Sequence, residues 1–134
     1  MTSTTTNTVL LAARIMLGLL FLISGFGKTG DVAGFAGFMA SGGIPAFLAW
    51  PVVLFEILGG LALILGFQTR IVALALGAFC LVSGTLYHFD PADQMQMTQF
   101  LKNLALTGGY LSLAVIGAGA WSIDGLRGGQ PAHA

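Results

Sequence analysis

Four stretches of the chain, residues 9–27, 44–67, 71–89 and 103–123, are almost wholly apolar, and each is 19 to 24 residues long. About 20 helical residues suffice to cross roughly 30 Å of hydrocarbon. The apolar residues run continuously instead of alternating as a barrel strand would, and only helices or closed barrels satisfy every backbone group in lipid. The pattern predicts an all-α integral membrane protein, a four-helix bundle over residues 9–125. A polar head, 1–8, precedes it and a flexible Gly/Pro/Ala tail, 126–134, follows. The head carries no basic side chain and no small-residue cleavage site follows the first run, so that run is expected to be a retained span, not a signal peptide.

The joints set the topology. Gln68, Thr69 and Arg70 make so short a connection that spans two and three form an antiparallel hairpin. Between spans one and two, Val32, Phe35, Ala36 and Met39 recur at i, i+3, i+4 and i+7. This spacing predicts a short amphipathic helix, at the interface or dipping into the bundle mouth, ended by Gly42, Gly43 and Pro45. The third joint, 90–99, opens with Asp-Pro and is polar, which places it outside the hydrocarbon. Pro51 leaves two options: the regular helix of span two starts there, or it starts near Pro45 and is kinked.

Composition narrows the chemistry. Of 134 residues 56% are hydrophobic and 7% charged, too few charges for a water-soluble surface of this size. Five basic and five acidic residues cancel, so nothing provides the basic field that nucleic acid requires. The single cysteine, Cys80, excludes an internal disulfide and a Cys-x-x-Cys redox pair, and two histidines, one of them His133 in the tail, argue against a haem. No metal site and no intrinsic cofactor is expected. Arg14, Arg70 and Arg127 fall on the side of the termini and Lys28 and Lys102 on the other, so the positive-inside rule puts both termini in the cytoplasm.

Each span carries one glycine-rich or polar stripe. Arg14, Gly18, Phe21, Gly25 and Lys28 share a face of span one, and Glu56 shares its face of span two with Gly59 and Gly60. Gly77, Cys80, Gly84 and His88 line span three beside Tyr87; Gln99, Asn103, Thr107 and Tyr110 line span four beside Lys102. An ionisable group inside a membrane costs about 3 kcal/mol at a helix centre, which makes each a functional candidate. Two readings stay open. In one, Arg14 and Glu56 form a structural ion pair and the lysines snorkel to water. In the other, Lys28, Glu56, Tyr87, His88, Gln99, Lys102 and Asn103 converge on a pocket open to the outer leaflet, suited to an amphipathic ligand such as a quinone, with Glu56 as candidate proton relay. Cys80 reads as a small core residue, Gly59, Gly60, Gly117 and Gly119 as close-packing positions, and Trp50 and Trp121 as interfacial anchors.

The segment Ala13-Arg14-Ile15-Met16-Leu17-Gly18-Leu19-Leu20-Phe21 with Ser24-Gly25-Phe26-Gly27-Lys28 resembles the opening of the DoxX family of small bacterial membrane proteins. Phe55-Glu56-Ile57-Leu58-Gly59-Gly60 and Leu65-Gly66-Phe67-Gln68-Thr69-Arg70 resemble its second span and tight turn, and Gln99-Phe100-Leu101-Lys102-Asn103-Leu104-Ala105-Leu106 with Gly108-Gly109 the start of its fourth. The family pattern falls on Arg14, Gly25, Lys28, Glu56, Gly59, Gln99, Lys102 and Asn103. The resemblance implies a four-span protein of the bacterial inner membrane, linked to quinones and sulfur metabolism through members described as subunits of a thiosulfate:quinone oxidoreductase.

The expected function is an accessory subunit that supports a quinone-linked oxidoreductase, with a possible bound quinone and no electron carrier of its own. Its partners would be lipid and either another membrane subunit or further copies of the chain. The alternatives are a structural or assembly subunit without a site of its own, and a small lipid-handling or proton-coupled transport protein, which four spans without an inverted repeat suit poorly.

Overall fold

The computed structural model of the chain describes residues 1–128. These residues form helices and turns with no strand among them. In chain order the helices are α1 (Ser3–Lys28), α2 (Val32–Ser41), α3 (Ala49–Leu65, entered through a 3-10 turn at Ala46–Leu48), α4 (Thr69–His88), α5 (Gln94–Ile116) and α6 (Ile123–Leu126). Three stretches, Ser3–Lys28, Ala46–Leu65 and Thr69–His88, are long and apolar enough to cross a membrane. Large apolar side chains such as Met16, Ile23, Leu58, Ile71 and Val115 remain on the outside, where lipid is the fitting solvent.

Helix ends differ from the expected boundaries where short-range capping prevails over hydropathy. Thr2 caps α1 by accepting from the Thr5 amide, so the head expected as a polar tail is helical from Ser3. Asp93 accepts from the amides of Met95 and Gln96, and α5 therefore begins at Gln94, ahead of the apolar run. It also stops early. Gly117 adopts φ of 89°, a conformation open to glycine, so the stretch expected as helix to residue 123 turns back after Ile116. Gly117 thus ends the helix, whereas Gly119, beyond it, packs closely against Leu10 and Asn7 of α1 as expected of a close-packing position, though outside a span. Pro51 is the third residue of α3, within the first turn, where the missing N–H removes no helical bond, so it neither starts nor kinks the helix.

The four long helices run alternately up and down as two close pairs. In the first, α1 and α3 touch at Gly18 and Gly60: a Cβ on Gly60 would lie 2.6 Å from the Gly18 carbonyl oxygen and 2.7 Å from the Leu22 nitrogen. In the second, α4 and α5 meet where Gly77 faces Tyr110 and Gly84 faces Asn103. The pairs join through Phe21, which lies edge-on to Phe79 and tilted against Tyr110, and through the Tyr110 hydroxyl, which donates to the Leu17 carbonyl at 2.7 Å. Leu10, Leu63, Leu76 and Leu113 complete the core, and Cys80 belongs to it as expected.

At the end of the bundle that carries the three arginines, polar side chains satisfy the helix termini. Arg14, wholly buried, donates to the carbonyls of Ile64 and Trp121. Arg70 donates to the last carbonyls of α5, those of Ala114, Val115 and Ile116. The Asp124 carboxylate accepts from the amides of Gln68 and Thr69 at 2.9 Å each, capping α4 from a segment more than 50 residues away. Asn7 holds the same segment from the other side by accepting from the Ala120 amide at 3.0 Å.

Two outcomes follow from this packing. Gly60→Ala should lower stability in detergent by about 1–3 kcal/mol, because backbone must move to admit the methyl. Gly108→Ala, where a Cβ meets nothing within 4 Å, should be neutral or gain up to about 1 kcal/mol from helix propensity; equal melting temperatures for the two variants would refute the close-contact account. Asp124→Ala should cost about 1–2 kcal/mol and accelerate hydrogen exchange at the Gln68 and Thr69 amides before it does so in the core of α4.

Candidate functional site

Antiparallel packing sets which charges meet. With Gly18 against Gly60 and Gly25 against Ile57 and Glu56, the Glu56 side chain lies one turn from the end of α1. There it meets Lys28, whose ammonium lies 2.8 Å from both carboxylate oxygens and 2.8 Å from the Ser24 hydroxyl oxygen. The expected Arg14–Glu56 pair does not form. Arg14 lies 11 residues before Gly25 on α1, roughly 16 Å along the axis at 1.5 Å per residue, and its level on α3 is that of Ile64. Glu56 is 2% exposed and Lys28 26%, so the pair has one end in the core and one near the surface.

The pair forms part of the wall of a cavity of about 610 Å³ enclosed by α1, α2, α3, α4 and α5. All seven residues expected to converge on a pocket line it: Lys28, Glu56, Tyr87, His88, Gln99, Lys102 and Asn103. Besides the Lys28–Glu56 pair, three of them are committed to internal bonds. The Tyr87 hydroxyl donates to the Met39 carbonyl at 2.7 Å, His88 Nδ1 pairs with Gln96 Oε1 at 2.8 Å, and the Asn103 amide donates to the Gln99 carbonyl at 2.9 Å. Lys102 is exposed and has neither hydrogen bond nor counter-ion among the described residues, and its ammonium is therefore open to a guest.

The remaining wall is mostly apolar, with four phenylalanines among aliphatic side chains. Phe21 and Phe79 come from the core, while α2 lays Phe35, Phe38 and Met39 across the side that the four long helices leave open. Phe38 stacks on Tyr87 with ring centroids 4.7 Å apart, and the Lys28 ammonium sits 4.9 Å from the centre of the Phe35 ring. Asp31 fixes the start of α2 by accepting from the Gly34 amide at 2.9 Å. Met39, the one buried residue of α2, fits the heptad-like spacing seen in the sequence. An apolar cavity of this size with several aromatic rings and a few polar groups suits a flat amphipathic molecule.

Sequence reasoning did not single out Ser24, Ser83 or Phe79 as cavity residues. For Ser24 a signal exists: it stands four residues before Lys28, on the same helix face, where an ammonium and a hydroxyl meet. No comparable signal marks Ser83 and Phe79, because α4 is apolar on most of its circumference. No group of His, Cys, Asp and Glu side chains among the described residues is placed to hold a metal ion.

The chain has recognisable relatives. It is 42% identical over 116 residues to "Inner membrane protein YqjF" of Escherichia coli, a match covering 87% of this chain and 89% of that protein. It is 34% identical to "Inner membrane protein YphA" of the same organism, covering 87% and 88%. A third relative, 31% identical over 77% of this chain and 76% of its own, bears the name "Putative oxidoreductase CatD" and comes from Bacillus subtilis. No solved structure matches the chain significantly. The family model for DoxX matches residues 9–89, which take in α1 to α4 with Lys28 and Glu56, and the chain belongs to the DoxX family.

Proposed function

We propose that this DoxX protein is an accessory subunit of the bacterial inner membrane that holds a quinone for a partner oxidoreductase. The observation that carries the reading is a cavity with an apolar wall that includes several aromatic rings, lined also by Lys28, Glu56 and Lys102. A volume of about 610 Å³ lies within the range of small-molecule sites, and rings such as Phe35, Phe38 and Phe79 match a flat quinone head. Carbonyl oxygens need donors, and the Lys102 ammonium is uncommitted among the described residues. Two-electron reduction of a quinone consumes two protons; Glu56, with its carboxylate on the cavity wall, is the relay. The chain has no set of cysteines for an iron–sulfur cluster, so the electrons come from the partner. The oxidoreductase in the name of the Bacillus subtilis relative agrees with this role.

In this arrangement α5 is the fourth span. Its 23 residues extend roughly 35 Å, and it returns antiparallel to α4. The ten residues of α2 are too short to cross and lie at the interface, with the exposed face of Phe38 against lipid headgroups. Arg14, Arg70 and Arg127 mark the cytoplasmic end by the positive-inside rule, which places the cavity towards the outer leaflet.

Tagged protein taken from native membranes in mild detergent should elute with about one quinone per chain, measured by solvent extraction and mass spectrometry, together with a redox subunit. A lone homo-oligomer carrying only bulk phospholipid would overturn the proposal. Lys102→Ala should leave the melting temperature unchanged, since the side chain makes no internal bond, yet lower quinone occupancy roughly tenfold, as loss of a charge-assisted hydrogen bond does. Full occupancy in that variant would remove Lys102 from the site.

A further inference from the structure

The Lys28 ammonium has three N–H donors, and all three are in use: one on each Glu56 oxygen and one on the Ser24 hydroxyl oxygen. It has no donor left for a guest in the cavity. Ser24, by contrast, receives a hydrogen bond from Lys28 and gives none to a backbone carbonyl among the described residues. Serine and threonine side chains in helices usually donate back to a carbonyl three or four residues earlier. Those of Thr8, Ser41, Ser83, Thr85, Thr98, Thr107 and Ser112 all do so here. The Lys28 ammonium holds the Ser24 oxygen through its lone pair, and the O–H is left to the Glu56 carboxylate alongside and to the cavity.

We propose that Ser24 is the hydrogen-bond donor beside the buried ion pair, that it recognises a ring carbonyl oxygen of the ligand, and that Lys28 is a positioning residue that does not touch the ligand. Glu56 already accepts two bonds from Lys28, so it loses little when the hydroxyl turns to a guest. This assignment rests on the quinone reading of the cavity and adds the atom on which that ligand is read.

The test uses the full chain in detergent with two probes of equal tail length, a short-chain alkyl benzoquinone and the corresponding alkylbenzene without carbonyls, compared across wild type, Ser24→Ala and Ser24→Cys. Wild type should prefer the quinone. Both variants should weaken quinone binding roughly three- to tenfold, the effect of one hydrogen bond, while alkylbenzene binding stays unchanged. Quinone binding equal to wild type in Ser24→Ala, or an equal loss for both probes, would overturn the assignment while leaving the quinone reading intact. A wild type that binds neither probe, or binds both alike, would overturn the quinone reading and this assignment with it.

Discussion

The structure depends on the approach of α1 to α3 at Gly18 and Gly60. Two helix backbones in contact through glycine fix both the distance between axes and the register, because neither can slide without driving a side chain into a carbonyl. In lipid no hydrophobic force draws helices together, so close backbone packing and the satisfaction of polar groups determine the arrangement. Once that register is set, Gly25 lies beside Glu56 and Lys28 is the cation within reach. The aromatic contacts of Phe21 then bring α4 and α5 against the first pair, and the space left near Lys28 becomes the cavity.

Polar groups in the bundle divide into two populations by depth. At one end Arg14, Arg70 and Asp124 bind backbone groups and close helix termini, and their charges are spent on the fold. Towards the other end the lysines face a carboxylate or open space, while Asp31 and Asp93 accept from backbone amides and cap helix starts. The division follows from chemistry: guanidinium has a planar fork that covers several carbonyls at once, whereas lysine is a compact point charge suited to a carboxylate.

Much of this was legible in the sequence. The stripe Arg14, Gly18, Phe21, Gly25 on α1 is the buried face, and the residues picked from three other helices line one cavity, because inward polar groups in lipid have few places to go. The partner of Glu56 was misread, since depth along a helix says nothing of register until the contact between helices is known. The ends of α1 and α5 were misplaced for another reason. Hydropathy reports where a helix is apolar, while Thr2, Asp93 and Gly117 decide where it begins and stops. Ser24 escaped notice because a serine among leucines carries no hydropathy signal; its significance lies in which lone pair is occupied.

The bond from Arg14 to the Trp121 carbonyl spans 107 residues, and the Asp124 cap on α4 spans more than 50. A ribosome delivers α1 to the bilayer long before either partner exists. Through most of synthesis the guanidinium of α1 must be kept solvated by water, headgroups or the insertion machinery, and α4 must wait with an open first turn. The segment that carries Ala120, Trp121 and Asp124 is therefore a clasp, closed only after all of the long helices have been made.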